Sequence, residues 1–268
     1  MACVGIFDSG LGGLTVWSAL RQHLPQLPCL YLADQAHLPY GPRSTDNIQD
    51  LCVAATHALR SQGAELIVVA CNTASAAALE HLRTTFPDLA FVGMEPAVKP
   101  AALQTRSGVV GLMATRGTLQ GALLRNTAAR FAGHVEIVAS DCPGLAEAIE
   151  TDAKDLDAQL RKHLEPMLAR GADTVVLGCT HYPLAMTLIR RIVGPDVHII
   201  DPSPAIARQV GRLWQGASTS MATRFATTAE PTHLGNFLRQ RFQTDVVIEH
   251  WHWRNQTLVA QDHNAPSN

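Results

Sequence analysis

The 268-residue chain has little lysine and no long apolar run. Only Lys99, Lys154 and Lys162 occur, which leaves few residues for an enzyme that acts through a lysine Schiff base. No apolar run approaches the ~20 residues that a membrane-spanning helix needs. No basic leader precedes the apolar segment at residues 3–7. We therefore expect a cytoplasmic protein with no membrane partner.

An excess of charge of one sign is also lacking. The 21 Lys and Arg residues nearly balance the 23 Asp and Glu residues, so no basic surface is indicated and we expect no nucleic-acid partner. The six cysteines include no Cys-x-x-Cys pair. In a reducing compartment they are expected to be free thiols, and a zinc knuckle is not predicted.

Short β-branched runs alternate with helical apolar spacing along the whole chain. This alternation is typical of an α/β fold whose mainly parallel sheets are flanked by helices. Strands are predicted at 3–7, 29–32, 65–70, 90–93, 108–113, 134–139, 173–178, 197–200, 223–227 and 245–250. Helices are predicted at 46–61, 75–84, 119–131, 155–169 and 203–214.

An internal repeat divides the chain. Residues 63–71 (GAELIVVAC) match residues 171–179 (GADTVVLGC) at an offset of 108, and residues 4–9 resemble 110–115 at an offset of 106. A period near 107 residues has the length of a domain. We predict two similar domains related by a pseudo-twofold axis, with the active site in the cleft between them.

The segment after the second repeat is too short to fold alone, so we expect it to complete the first domain. The predicted domains are 1–97 plus 208–268, and 98–207. The polar tail after about Trp253 is expected to be loosely ordered.

Cys71 and Cys179 follow equivalent strands of the two halves. In open α/β sheets, ligands bind beyond the carboxyl ends of the strands. Helix-start N–H groups there favour anions and lower the pKa of a thiol. A cysteine at the end of a strand is most often a core residue, but two at equivalent positions suit an acid and a base on opposite faces of one carbon. Such thiols would lie roughly 6–7 Å apart with the substrate between them.

Two turns near the predicted cleft are further candidates. The glycine-rich turn after the first strand, which begins with Asp8 and Ser9, matches neither phosphate-loop pattern, and Asp8 could also be a helix cap. The turn at residues 39–41 could line the cleft with the phenol of Tyr40 and its backbone.

Five segments together resemble the glutamate racemases of the aspartate/glutamate racemase family. They are residues 5–15 (GIFDSGLGGLT), 38–41 (LPYG), 69–75 (VACNTAS), 95–101 (EPAVKPA) and 177–184 (LGCTHYPL). The resemblance implies cofactor-independent interconversion of L- and D-glutamate for peptidoglycan synthesis. It implies no metal, a small-molecule partner (L- or D-glutamate) and a possible homodimer.

The resemblance also implies a role for each matching residue. Cys71 would deprotonate the D-enantiomer with help from Asp8, and Cys179 the L-enantiomer with help from His181. Glu150 matches an assisting acidic residue of the family, although Glu147 competes for that position. The residues implied to bind substrate are Asp8, Ser9, Tyr40, Gly41, Asn72, Thr73, Thr180 and His181.

Several alternatives remain open on the sequence alone. The protein could be an aspartate racemase, whose substrate is shorter by one methylene, or a non-catalytic two-domain binder of an acidic ligand. Lys99 could hold pyridoxal phosphate, but no phosphate cradle accompanies it. His181 could ligate a metal, but no second histidine stands at suitable spacing.

Overall fold

The computed structural model describes residues 2–217 and 222–260, which form two parallel β-sheets flanked by helices. The first eight strands are β1 (Cys3–Asp8), β2 (Cys29–Ala33), β3 (Ala64–Val69), β4 (Ala90–Gly93), β5 (Val109–Ala114), β6 (Glu136–Asp141), β7 (Thr174–Gly178) and β8 (His198–Ile200). The remaining strands are β9 (Arg224–Thr227), β10 (Ile248–His250), β11 (His252–Arg254) and β12 (Thr257–Val259). Each of the ten predicted strands overlaps one of β1–β10 in the same order.

Eleven α-helices are assigned within the described residues. The first six are α1 (Leu14–His23), α2 (Thr45–Ser61), α3 (Asn72–Thr85), α4 (Val98–Gln104), α5 (Arg116–Gln120) and α6 (Ala122–Phe131). The others are α7 (Leu145–Glu150), α8 (Leu156–Ala169), α9 (Met186–Val193), α10 (Ser203–Leu213) and α11 (Pro231–Phe242). Among them, no helix is both long and apolar enough to cross a membrane.

The two sheets repeat one strand order. The first sheet runs β10-β9-β2-β1-β3-β4 and the second runs β6-β5-β7-β8. The registers repeat as well, because Val4 pairs with Leu66 in the first sheet and Val110 pairs with Thr174 in the second. The offsets of 106 and 108 found in the sequence therefore belong to equivalent pairs of neighbouring strands. The chain is an α/β protein of two similar domains.

The end of the chain returns to the first sheet. Strand β9 pairs with β2, and β10 adds beyond β9. Helix α10 spans the predicted division between residues 207 and 208, and its apolar side (Ile206, Ala207 and Val210) joins the first domain's core. Val98 of α4, in contrast, packs in the second domain. We therefore propose that the second domain spans about 98–202.

The expectation of a loosely ordered tail after Trp253 is wrong for the residues up to 260. Strands β11 and β12 form an antiparallel hairpin. Its Leu258, together with Trp251 just before it, is buried in the core under α2. Burial of these two apolar side chains anchors the hairpin to the first domain, although the residues around them are mostly polar. Residues 261–268 lie outside the described part of the chain.

Candidate active site

Cys71 lies between the end of β3 and the start of α3. Its extended backbone caps the helix, and its sulfur lies 3.5 Å from the amide nitrogen of Ala74, which donates to it. The hydroxyl of Ser9, from the turn after β1, is also 3.5 Å from the sulfur. The predicted helix start and the hydroxyl of Ser9 thus converge on one buried thiol.

Cys179 follows β7 at the equivalent place of the second domain, but its surroundings differ. A 3₁₀ turn at Tyr182–Ala185 comes first and α9 begins only after it, whereas the sequence suggested an immediate helix. The sulfur of Cys179 lies 3.7 Å from Nδ1 of His181. The imidazole, instead of a helix cap, is therefore the polar partner of this thiol.

Glu150 holds the other side of that imidazole. Its Oε1 is 2.5 Å from Nε2 of His181, and both side chains are buried. The same oxygen accepts the amide hydrogen of Leu11 at 3.1 Å, from the turn after β1 of the first domain. Glu147 is exposed on the same short helix. Of the two acidic candidates, the structure places Glu150 beside His181.

The electrostatics of the site follow from its burial. Burial and the charge of Asp8 raise the pKa of the Cys71 thiol to about 12, despite the donors from Ser9 and Ala74. The helix-start amide of Ala74 lowers the pKa of this thiol as expected, but desolvation disfavours the thiolate more strongly, so the net shift is upward. Burial also raises the pKa of Asp8, although the charge of His181 opposes this.

His181 and Glu150 behave as an ion pair. Burial opposes a charge on His181, but its hydrogen bonds to Cys179 and Glu150 outweigh burial and raise its pKa well above the ordinary value. Burial raises the pKa of Glu150, and the bond and charge of His181 more than reverse that effect. An imidazolium therefore stands beside Cys179 at neutral pH.

Polar atoms without partners point to a missing ligand. Oδ2 of Asp8 accepts the amide hydrogen of Gly13 at 2.7 Å. Its Oδ1 and both polar atoms of Asn72 are buried without any partner in the described part of the chain. Buried polar groups are almost always hydrogen-bonded. These atoms beside Cys71 can therefore receive a polar substrate.

The cleft is closed, and hydroxyl, amide and thiol groups line much of it. Ser9, Asn72, Thr73, Thr180 and both thiols are all buried. No lysine or arginine is buried anywhere in residues 2–217 and 222–260. A carboxylate enclosed here would meet hydroxyl, amide and backbone N–H donors, as the sequence predicts for its helix-start turns.

Hydroxyl groups link the two domains beside the thiols. Oγ1 of Thr73 lies 2.9 Å from Oγ1 of Thr115, which in turn lies 3.0 Å from Oγ1 of Thr118. Thr115 and Thr118 are absent from the sequence-based set of site residues. Thr115 stands where Ser9 stands in the repeat.

The turn at residues 39–41 differs from the prediction in one respect. The hydroxyl of Tyr40 does not face the thiols, because it donates to Oδ2 of Asp34 at 2.7 Å. Gly41 lies at the domain boundary, where its carbonyl oxygen is 3.8 Å from a Cβ built on Gly117. The backbone of this turn, and not the phenol, is what remains available to a substrate.

The remaining candidates lie apart from the thiols. Lys99 is exposed, and its ammonium stands 4.5 Å from the centre of the Phe131 ring. The described residues contain no group of three His, Cys, Asp or Glu side chains able to hold a metal ion. All six cysteines are free and buried.

Comparison with known proteins identifies the family of this chain. The family model for Asp/Glu/hydantoin racemases matches residues 15–210. A glutamate racemase of Roseiflexus sp. is 48% identical over 88% of this chain and 91% of its own length. One of Stutzerimonas stutzeri is 43% identical over 92% and 97%.

Solved structures give the same result. The Escherichia coli glutamate racemase, in complex with L-glutamate and the activator UDP-MurNAc-Ala, superposes with a TM-score of 0.84 at 33% identity, covering 98% of this chain and all of that chain. An aspartate racemase of Picrophilus torridus reaches a TM-score of 0.51 at 18% identity, covering 79% of this chain and 93% of its own, which shows a shared fold alone. This chain therefore belongs to the Asp/Glu/hydantoin racemase family, among its glutamate racemases, and is an isomerase.

Proposed function

We propose that the enzyme interconverts L- and D-glutamate by proton transfer between Cys71 and Cys179 without a cofactor, and that it supplies D-glutamate for peptidoglycan synthesis. The observation that carries the mechanism is the placement of two buried thiols after equivalent strands of two similar domains. The charge of Cys179 contributes to raising the pKa of Cys71, so the two thiols interact electrostatically across the cleft.

Each half of the site has its own means of moving a proton. In the L-to-D direction, the Cys179 thiolate takes the α-proton while the adjacent imidazolium of His181 compensates its charge. The Cys71 thiol then donates its proton to the opposite face of the carbanion. The product leaves with Cys179 as a thiol and Cys71 as a thiolate, which is the starting state for the reverse direction.

The unpartnered groups give the substrate its orientation. Oδ1 of Asp8 can accept from the ammonium group, and Asn72 can pair with a carboxylate. Glutamate is favoured over aspartate as substrate because the relatives at 43–48% identity carry that name. A pocket alone separates substrates differing by one methylene by only about 1–3 kcal/mol, so both amino acids belong in the assay.

Replacement of each thiol tests the mechanism. Cys71→Ala and Cys179→Ala are each expected to abolish racemisation of glutamate in both directions. The rate should fall by more than the 10²–10⁴-fold that is typical of losing one acid–base group. Each variant should still deprotonate one enantiomer of a glutamate analogue with a leaving group on its β-carbon. Cys71→Ala should eliminate from the L-form and Cys179→Ala from the D-form. Optical rotation follows racemisation, and release of the leaving group follows elimination.

Cys29→Ala is the matched control, since this buried thiol lies at the other end of β2 from the cleft. It should racemise glutamate at the rate of the parent enzyme. Elimination from the same enantiomer by both cleft variants would contradict the assignment of one thiol to each face. Parent enzyme that turns over aspartate but not glutamate would contradict the substrate.

A further inference from the structure

The glycine-rich turn after β1 is not explained by the reaction as described so far. Its Leu11 amide donates to Oε1 of Glu150, the same oxygen that binds His181. Its Thr15, at the start of α1, has one hydroxyl hydrogen to share between two carbonyl oxygens, that of Gly12 at 2.9 Å and that of Thr180 across the cleft at 3.1 Å. This turn of the first domain therefore contacts Glu150, which holds His181, and Thr180, which follows Cys179, in the second domain.

Gly12 lies at the closest point of this contact. A Cβ added to it would be 2.4 Å from Nδ1 of His181 and 2.5 Å from Oγ1 of Thr180. Real Cβ atoms essentially never approach other atoms within 3.0 Å. The backbone φ of Gly12 lies outside the left-handed region, so the requirement for glycine comes from space and not from backbone conformation.

The imidazole cannot easily yield to such a Cβ. Nε2 of His181 is held by Glu150, and Nδ1 faces Cys179. The ring is buried on all sides. A methyl group at position 12 would push on the nitrogen that faces the thiol, so the ring would leave Cys179 or the domains would separate at this point.

We propose that Gly12 is a positioning residue for the Cys179 half of the active site. Its missing side chain lets the first domain dock against Thr180 and His181 without displacing the imidazole, so that His181 stays in contact with Cys179 when the cleft is closed. This inference rests on the proposed two-thiol racemisation of glutamate. Cys71 and Ser9 lie in the same domain as the turn, so their contact does not depend on the docking.

Kinetic isotope effects on Gly12→Ala separate the two halves. In the variant, proton transfer at Cys179 becomes slower than transfer at Cys71. The isotope effect with L-glutamate deuterated at the α-carbon should therefore rise above that of the parent enzyme. The effect with deuterated D-glutamate should fall toward unity, because its labelled proton moves in the faster step. We expect kcat/KM to fall by about 10-fold or more, toward the 10²–10⁴-fold of a lost acid–base group.

Two further variants keep the test decisive. Gly133→Ala, where an added Cβ meets nothing within 4 Å, should match the parent enzyme in rate and in both isotope effects. Thr15→Val removes a docking hydrogen bond without a clash and should change the isotope effects in the same directions by less, even if Gly12→Ala does not fold.

The possible outcomes separate a failure of the role of Gly12 from a failure of the proposed function. Folded Gly12→Ala or Thr15→Val with both isotope effects unchanged, or changed equally, would overturn the role of the turn. Parent enzyme that does not racemise glutamate would instead overturn the proposed function.

Discussion

Two glutamates of one short helix, Glu147 and Glu150, show how burial selects a functional residue. Only Glu150 reaches the imidazole of His181, and it keeps that ring charged. Glu147 is exposed to solvent. A carboxylate inside a closed cleft acts at low dielectric, where its charge has a large effect on a neighbouring group.

Glu150→Gln should lower the rate of racemisation at neutral and alkaline pH. The raised pKa of His181 keeps the imidazolium present across neutral pH in the parent enzyme. Glutamine can still accept a hydrogen bond but carries no charge, so burial lowers the pKa of His181 in the variant. The imidazolium is then lost as pH rises through the lowered pKa. Racemisation should fall by about 10-fold or more as pH rises, measured as a profile of kcat/KM against pH.

Glu147→Gln is the control for this experiment, because its side chain lies outside the cleft. Its profile should superpose on that of the parent enzyme. Equal profiles for Glu150→Gln and the parent would mean that the charge on His181 does not support Cys179.

The sequence identifies residues at repeat positions better than residues brought together by folding. Cys71 and Cys179 were predictable because both end an apolar strand at one offset. Thr118 and Asp34 carry no such signal. Thr118 reaches the domain boundary through Thr115, whose partner Thr73 lies 42 residues away. Asp34 meets Thr228, 194 residues away, only in the folded chain. The bond from the Tyr40 phenol to Asp34 was unpredictable for the same reason.

At the scale of elements, a buried carboxylate joins the end of the chain to the substrate turn. Asp34 follows β2 and is fully buried. It accepts from the hydroxyls of Tyr40 and Thr228 and from the indole nitrogen of Trp253 at 2.8 Å. The hairpin of β11 and β12 thus helps to hold the turn at residues 39–41, which explains why a tail of polar composition is ordered.

Trp253→Phe should weaken both the fold and substrate binding. The phenyl ring keeps most of the apolar contact but cannot donate to Asp34. A lost hydrogen bond to a buried carboxylate costs about 1–3 kcal/mol, measured as the free energy of unfolding in urea. The KM for glutamate should rise because the turn at residues 39–41 loses support.

Trp214→Phe provides the matched comparison. The indole nitrogen of Trp214 has no hydrogen-bond partner among the described residues, so this change removes a similar ring volume and no such bond. It should be less destabilising and leave KM unchanged. Equal losses in the two variants would show that ring volume alone matters at position 253.

At the scale of the whole molecule, the closed cleft requires that the domains separate to admit substrate. Besides the contacts at the thiols, an ion pair joins the domains at the surface. Arg241 of α11 contacts Asp152, two residues beyond Glu150. Exposed ion pairs contribute only about 0–1 kcal/mol, so this contact can bias closure without locking it.

Arg241→Gln should raise the KM for glutamate by up to about fivefold, the equivalent of 1 kcal/mol, because the closed state loses one attraction. The kcat for racemisation should change little, since the thiols are untouched. Added salt should narrow the difference from the parent enzyme.

Arg239→Gln breaks a similar ion pair, with Asp245, that lies within the first domain, and should leave KM as it is. A KM for Arg241→Gln equal to that of the Arg239 variant would exclude a role for this contact in closure.

The unlike surroundings of the two thiols have a thermodynamic consequence. Cys71 has a hydroxyl and a helix start beside it, whereas Cys179 has an imidazole and a carboxylate. Enantiomers have equal free energies in water, so the Haldane relation fixes kcat/KM to be the same in both directions. Damage to one half must therefore slow both directions equally in kcat/KM. In the racemisation rates of unlabelled glutamate, the difference between the halves can therefore appear only in how kcat and KM share that common value.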